Sequence, residues 1–128
     1  MIKPDMMKYF VSYQPVSVTI NAPSCVMHYK SGILSQNECD CTGEGYTEVK
    51  TNTFFTVIGY GATTREDPEY GYCEGYWILR SSFGKGWGDQ GHLKLCINKN
   101  RDEDDIGTCN VLVYPHLPDV GILPPITA

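Results

Sequence analysis

The sequence predicts an α+β protein that is mostly β: a small antiparallel, barrel-like sheet with one short N-terminal helix. Three observations carry this. Roughly five or six short β-branched or aromatic runs are separated by glycine-rich turns. Only one segment, near the start, has helical periodicity. The last stretch holds Pro115, Pro118, Pro124 and Pro125, too many prolines for a helix or a central strand.

In chain order, Pro4 to Tyr13 reads as the helix. Pro4 suits its first turn, Asp5 complements the positive end of its dipole, and Met6, Met7, Phe10 and Val11 share one face. The Met pair reads as core filling. Gln14 precedes Pro15 and is pushed out of the helical region, which stops the helix. Pro15 to Ile20 alternates apolar and polar residues, so it is a strand with one buried face. Asn21 to Ser24 is a turn, and Cys25 to Lys30 a short irregular or helical segment. Leu34 to Lys50 is a long polar loop containing Cys39 and Cys41. Thr53 to Tyr60 is a strand. Ala62 to Gly75 is an acidic loop that carries Cys73. Tyr76 to Ser81 and His92 to Ile97 are strands, joined by turns at Gly84, Gly86, Gly88 and Gly91. Asn98 to Ile106 is a charged, solvated tip, and Asn110 to Tyr114 the last strand.

The 128 residues suit one domain with its own core. With 20% charged and 41% apolar residues the chain is globular rather than disordered. A net charge of −5 with scattered basic residues argues against a nucleic-acid partner. No apolar run approaches the ~20 residues of a transmembrane segment. Met1 to Asp5 shows no signal-peptide pattern; the abrupt start suggests a fragment or one product of a processed precursor. Six cysteines favour an oxidising compartment, hence the secretory pathway, a lysosome or vacuole, or the extracellular space.

Two stretches organise the chain. One is Asn52-Thr53-Phe54-Phe55-Thr56-Val57-Ile58-Gly59-Tyr60-Gly61. The other runs from Tyr76-Trp77-Ile78-Leu79-Arg80-Ser81-Ser82-Phe83-Gly84 through Gly86-Trp87-Gly88 to Gly91-His92. Together they resemble the C-terminal lobe of a papain-family (C1, cathepsin-like) cysteine peptidase. That family reads Asn/Asp-His-Ala-Val followed by Gly-Tyr-Gly, then Tyr-Trp-Ile-(hydrophobic)-Lys-Asn-Ser-Trp-Gly, Gly-Trp-Gly and Gly-Tyr. Tyr29 with Ser31-Gly32-Ile33 resembles a further family turn, and Gln14 to Val18 the opening strand of the lobe. The resemblance covers roughly Lys8 to Pro118. It implies a papain-like C-terminal lobe at 1–118 and a proline-rich tail at 119–128. A whole two-lobed catalytic unit needs roughly 200 residues or more, so one lobe fits here.

The resemblance places Thr53 at the position of the catalytic His and Ser81 at that of the Asn that orients it. Phe83 replaces the Trp that covers the Asn. Thr53 has no pKa near neutrality and cannot act as a general base. As an internal residue it also lacks the N-terminal amine that activates threonine nucleophiles. No catalytic residue of the pattern is intact. Cys25, within Pro-Ser-Cys-Val-Met-His, lacks the surroundings of the family nucleophile, which sits in the other lobe. His28, His92 and His116 read as structural, since none has a ligand partner at metal spacing. The face that remains is a cleft: Val16 to Ile20, Thr53 to Phe55 and Ser81 to Phe83, with Val18, Phe54, Ser82, Phe83 and Trp87 expected to line it.

The resemblance also implies one disulfide from the loop after Ser-Gly-Ile to Cys109. Cys39 or Cys41 could supply it, with Cys39 preferred narrowly. Cys25, Cys41, Cys73 and Cys96 have no family assignment. Cys96 reads as a buried free thiol. Cys-x-Cys fits no standard zinc module, so neither metal nor cofactor is expected.

Three functions compete. The first is a non-catalytic module that binds or supports an N-terminal lobe, other protein subunits, or a peptide or propeptide in the cleft. The second is half of a cysteine-type endopeptidase, acting in proteolysis through an altered site. The third is a disulfide-rich recognition module of accidental resemblance, which the ordered string of motifs disfavours. The changes at Thr53 and Ser81 favour the first.

Overall fold

A computed structural model describes residues 2–35, 41, 53–63, 66–67, 71–98, 107–113 and 115–116. Helix α1 (Pro4–Val11) begins on its proline, as expected at a first turn, and buries Met7 and Val11. Strand β1 (Val16–Ile20) follows, with alternate residues buried. A one-turn helix α2 (Ser24–Met27) leads to β2 (Ile33–Leu34). The long strands are β3 (Thr53–Ala62), β5 (Gly71–Arg80) and β6 (His92–Asn98); β4 (Glu66–Asp67) and β7 (Pro115–His116) are two-residue edges.

The sheet runs β2-β6-β5-β3-β1-β7, with β4 paired to β5. Every pairing is antiparallel except β2 with β6, where Ile33 and Leu34 lie parallel to Lys94 and Leu95. The expected mostly-β fold with a short helix is therefore what forms. It is a mixed sheet, with a second short helix, Ser24–Met27, within the segment expected to be irregular or helical.

Period-two patterning explains the core. Val16, Val18, Ile20, Phe55, Val57, Trp77, Leu79, Leu93, Leu95 and Ile97 project to one face and are buried. Met7, Val111 and Leu112 close over them. Each such side chain stabilises by about 1.5–3 kcal/mol relative to exposure. Helix α1 is held against β3 in part by the Lys8 ammonium, 5.6 Å from the centroid of the Tyr60 ring.

Four sequence expectations are corrected. First, Cys109 pairs with Cys41, not Cys39, with Cα atoms 4.6 Å apart. Asn21 explains the choice. Its backbone N–H donates to the Cys109 carbonyl (2.9 Å) and its Nδ2 to the Cys41 carbonyl (2.6 Å), so one residue holds both half-cystines. Cys39 lies outside the described residues. Second, Cys96 is not a free thiol but bridges Cys73 across the β5–β6 ladder, beside a register shift between Cys73 and Gly75. Cys25 is disulfide-bonded too, to a partner outside the described residues.

Third, of the expected strand Asn110 to Tyr114, the segment Asn110 to Val113 is not a strand, and Tyr114 lies outside the described residues. Thr108–Asn110 forms a single 3-10 turn in which Cys109 and Asn110 have φ of 55° and 65°. Left-handed backbone cannot enter a ladder, and the disulfide fixes it there. The chain rejoins the sheet only at Pro115 and His116, opposite Val18 and Ser17, on an edge where proline is tolerated. Fourth, the expected loop from Ala62 to Gly75 contains a hairpin: Glu66 and Asp67 pair with Tyr72 and Gly71. Most of the Leu34–Lys50 loop, the charged tip at 99–106 and the boundary placed between 118 and 119 lie outside the described residues.

Candidate functional site

Antiparallel register assembles the site on the outer face of β1, β3 and β5. In β3, Phe55 and Val57 point into the core, so Phe54, Thr56 and Ile58 point out; Phe54 is 67% exposed. In β1, Val18 is fully buried. Its expected place in the cleft is therefore wrong, and the outward residue is its neighbour Ser17. The alternation of β1 itself carries that information: Val16, Val18 and Ile20 form the buried set. Ser17 lies opposite Thr56, which lies opposite Arg80. Phe54, Ser81 and Ser82 join these three around an open groove of about 360 Å³.

Thr53 is the first residue of β3, opposite Ile20. Ser81 directly follows β5, so antiparallel pairing puts both at the same end of the sheet. The Ser81 N–H donates to the Gly91 carbonyl (2.9 Å), and its Oγ accepts from the Phe83 N–H (3.3 Å). Ser81 thus acts as a local turn cap. Among the described residues no histidine lies opposite Thr53. His116 pairs with Ser17, three residues along the ladder from Thr53's partner Ile20, about 10 Å of strand. His92 pairs with Arg80, the residue before Ser81, but on β6, two strands away from β3. His28 caps α2, with Nδ1 at 2.7 Å from the Ser24 carbonyl.

Behind the groove stands an aromatic cluster. Phe83 and Trp87 pack edge to face at 5.5 Å, and each packs on Phe55, at 6.2 and 5.7 Å. The Trp87 indole N–H donates to the Met27 carbonyl at 2.9 Å, tying the glycine turns to α2. Gly88, with φ of +62°, runs so close to β6 that a Cβ would meet the His92 carbonyl oxygen at 2.8 Å. Tyr29 stacks on Trp87 and donates its hydroxyl to the Gly32 carbonyl. Burial, and secondarily the Asp89 carboxylate, pushes its phenol up, against a backbone hydrogen bond near Lys94.

Of the residues expected to line the cleft, Phe54 and Ser82 border the groove, Phe83 and Trp87 form its aromatic support, and Val18 lies in the core. Ser17 falls within the expected cleft stretch Val16 to Ile20, whereas Thr56 and Arg80 lie outside the expected stretches; strand parity marks all three as outward. The groove offers hydroxyls, one guanidinium and an aromatic wall. Among the described residues that set can hold a chain by hydrogen bonds and charge, and none of these lining groups takes a proton at neutral pH; the imidazoles of His116 and His92 sit one strand outside it, opposite Ser17 and Arg80.

A β-lobe with this order of glycine and aromatic turns is a protease-type half-fold. The chain belongs to the papain family of cysteine proteases, whose model matches residues 2–117. It is 35% identical over 119 residues to the probable cysteine protease RDL2 of Arabidopsis thaliana, covering 92% of this chain and 27% of that protein. It is 31% identical to a cathepsin L-like protein of Caenorhabditis elegans, covering 87% of this chain and 28% of that one. Among solved structures it resembles the bromelain protease of Ananas comosus in complex with the E64 inhibitor. That likeness has 30% identity and a TM-score of 0.55, over 89% of this chain and 46% of that one. The Carica candamarcensis protease CMS1MS2 shares the fold at a TM-score of 0.58 and 21% identity, over 89% of this chain and 44% of that one. The chain spans about a quarter of the length of the first curated relatives it matches.

Proposed function

We propose that this chain is a non-catalytic papain-like module, a binding or structural subunit that pairs through its outer β1–β3–β5 face with an N-terminal lobe or another protein chain. The observation that carries the reading is Thr53 and Ser81 at the two motif positions where the family has its base and the Asn that orients it. Neither hydroxyl side chain can hold a proton in the thiolate–imidazolium sense. Removal of a triad's base costs several orders of magnitude in rate. The exposed Phe54 and Phe83 supply an apolar surface suited to a partner. The disulfides favour an oxidising compartment, so the module works in the secretory pathway, a lysosome or vacuole, or outside the cell. Among the described residues no helix is long and apolar enough to cross a membrane.

The names of the relatives favour a second reading, half of a working cysteine endopeptidase. One comparison separates the two. The chain is co-expressed with the N-terminal lobe of a papain-family relative, and the native pair is compared with Thr53→His/Ser81→Asn on a fluorogenic peptide. Turnover in the double variant alone supports the non-catalytic reading. Turnover in the native pair overturns it.

A further inference from the structure

The outer face of the sheet carries a polar row that the peptidase chemistry does not use. Register pairs His116 with Ser17, Ser17 with Thr56, Thr56 with Arg80, and Arg80 with His92. Directly opposed residues in a sheet share a face. One line across five strands, about 19 Å long at the usual strand spacing, therefore presents two imidazoles, two hydroxyls and a guanidinium. Its centre, Ser17, Thr56 and Arg80, forms part of the groove lining. Arg80 is exposed and, among the described residues, has no ion-pair partner. Among the described residues no carboxylate lines the groove. In a chain of net charge −5 the row concentrates donors, with one acid, Asp89, bridged to His92 at its β6 end and away from Arg80's groove side.

We infer that this row is an anion-reading surface, and that the polypeptide docking on the β1–β3–β5 face places an Asp or Glu carboxylate against Arg80. The inference rests on the binding reading proposed above and names the chemistry of its partner. Arg80 offers the paired N–H donors that match a carboxylate, and the Ser17 and Thr56 hydroxyls continue the donor line. Phe54 beside Thr56 and Ile58 beyond it, both exposed, would flank the acidic residue with apolar contacts. This mixture favours a short mixed-sequence protein segment. A nucleic acid or an anionic membrane surface is disfavoured, because the acidic chain as a whole repels polyanions.

The test is an NMR titration of the isotope-labelled full chain with two capped peptides, Gly-Phe-Glu-Phe-Gly and Gly-Phe-Gln-Phe-Gly. The expected result is a Kd about tenfold lower for the Glu peptide, as one charge-assisted bidentate contact supplies, with shifts at Ser17, Thr56 and Arg80. Arg80→Gln removes the preference and Arg80→Lys keeps part of it. Arg80 is exposed, so neither change disturbs the core, and the unchanged spectrum of the remaining residues verifies this. Equal affinity for the two peptides, with both lost in Phe54→Asp, overturns the inference and leaves the binding face intact. A Glu preference that survives Arg80→Gln overturns it as well. Binding of neither peptide at millimolar concentration also overturns it, while pairing with a second lobe keeps its own test. Preferential binding of an oligonucleotide or of phosphatidylserine vesicles would overturn the choice of a polypeptide.

Discussion

Converting Cys41 and Cys109 together to Ala should remove about 4 kcal/mol of folding stability. The two half-cystines are 68 residues apart, and the Cys73–Cys96 bridge, spanning 23, lies inside that loop. With that inner bridge intact the opened loop has an effective length of roughly 45 residues, for which the chain-entropy relation gives about 4 kcal/mol at 25 °C. The native side of the equilibrium loses little, because Asn21 still bonds the backbone at both positions. In urea unfolding, with a slope near 2 kcal/mol per molar for a domain of this size, the midpoint should fall by about 2 M, with a slope equal to or somewhat above the native one because the opened chain exposes more surface. A fall below about 0.5 M would refute the reasoning. It would mean that the covalent bond restricts the unfolded chain little and that the Asn21 hydrogen bonds alone fix the turn. Cys39→Ala is the control for the corrected pairing, and it leaves the Cys41–Cys109 bridge detectable in a peptide map.

Other perturbations test the site piece by piece. Trp87→Phe removes the donor to the Met27 carbonyl while keeping ring contacts, and should cost about 1–2 kcal/mol in chemical denaturation. Gly88→Ala adds a Cβ against the His92 carbonyl in a left-handed residue and should cost about 1–3 kcal/mol, read as a lowered thermal midpoint. Tyr29 gives a pH signature. Its phenol titrates higher folded than unfolded because it is partly buried. Its contribution is therefore fully present below about pH 10, the ordinary tyrosine value, and is lost as pH rises through the folded value. Thermal melts above pH 10 should show a steeper loss in the native protein than in Tyr29→Phe. Phe54→Ala should leave stability within about 0.5 kcal/mol, since the ring is largely exposed, yet weaken capture by a partner lobe in a pull-down.

Much of this architecture was legible because hydrophobic period and turn chemistry agree. Val16, Val18 and Ile20 announce one buried face, and Gly84, Gly88 and Gly91 take the positive φ that their turns require. The errors fell where non-local restraints decide. Nothing local tells Cys41 from Cys39; Asn21, twenty residues away, does. Nothing local forbids a strand at Asn110, whose sequence is apolar enough; a distant disulfide holds its neighbour left-handed. Cys96 sits in strand alternation that suits a buried thiol, and only the register of β5 brings Cys73 to it. At the site, the parity of β1 turns Val18 into the core and Ser17 outward. Arg80 stands at the Lys of the family motif, but its place in a polar row follows only from Thr56 and His92 on either side.

The central claim is that no residue of this lobe serves as the base for a partner's thiol. The most direct measurement is the pH dependence of iodoacetamide alkylation of the nucleophilic cysteine in a pair formed with an N-terminal lobe. An unassisted thiol reacts appreciably only as pH climbs toward about 8.5, whereas an imidazole-paired thiolate reacts far into the acid range. The account predicts the first profile for the native pair, with Thr53→His/Ser81→Asn extending alkylation toward pH ~5. Fast alkylation of the native pair at that acidic pH would contradict the account and require a base elsewhere in the assembly.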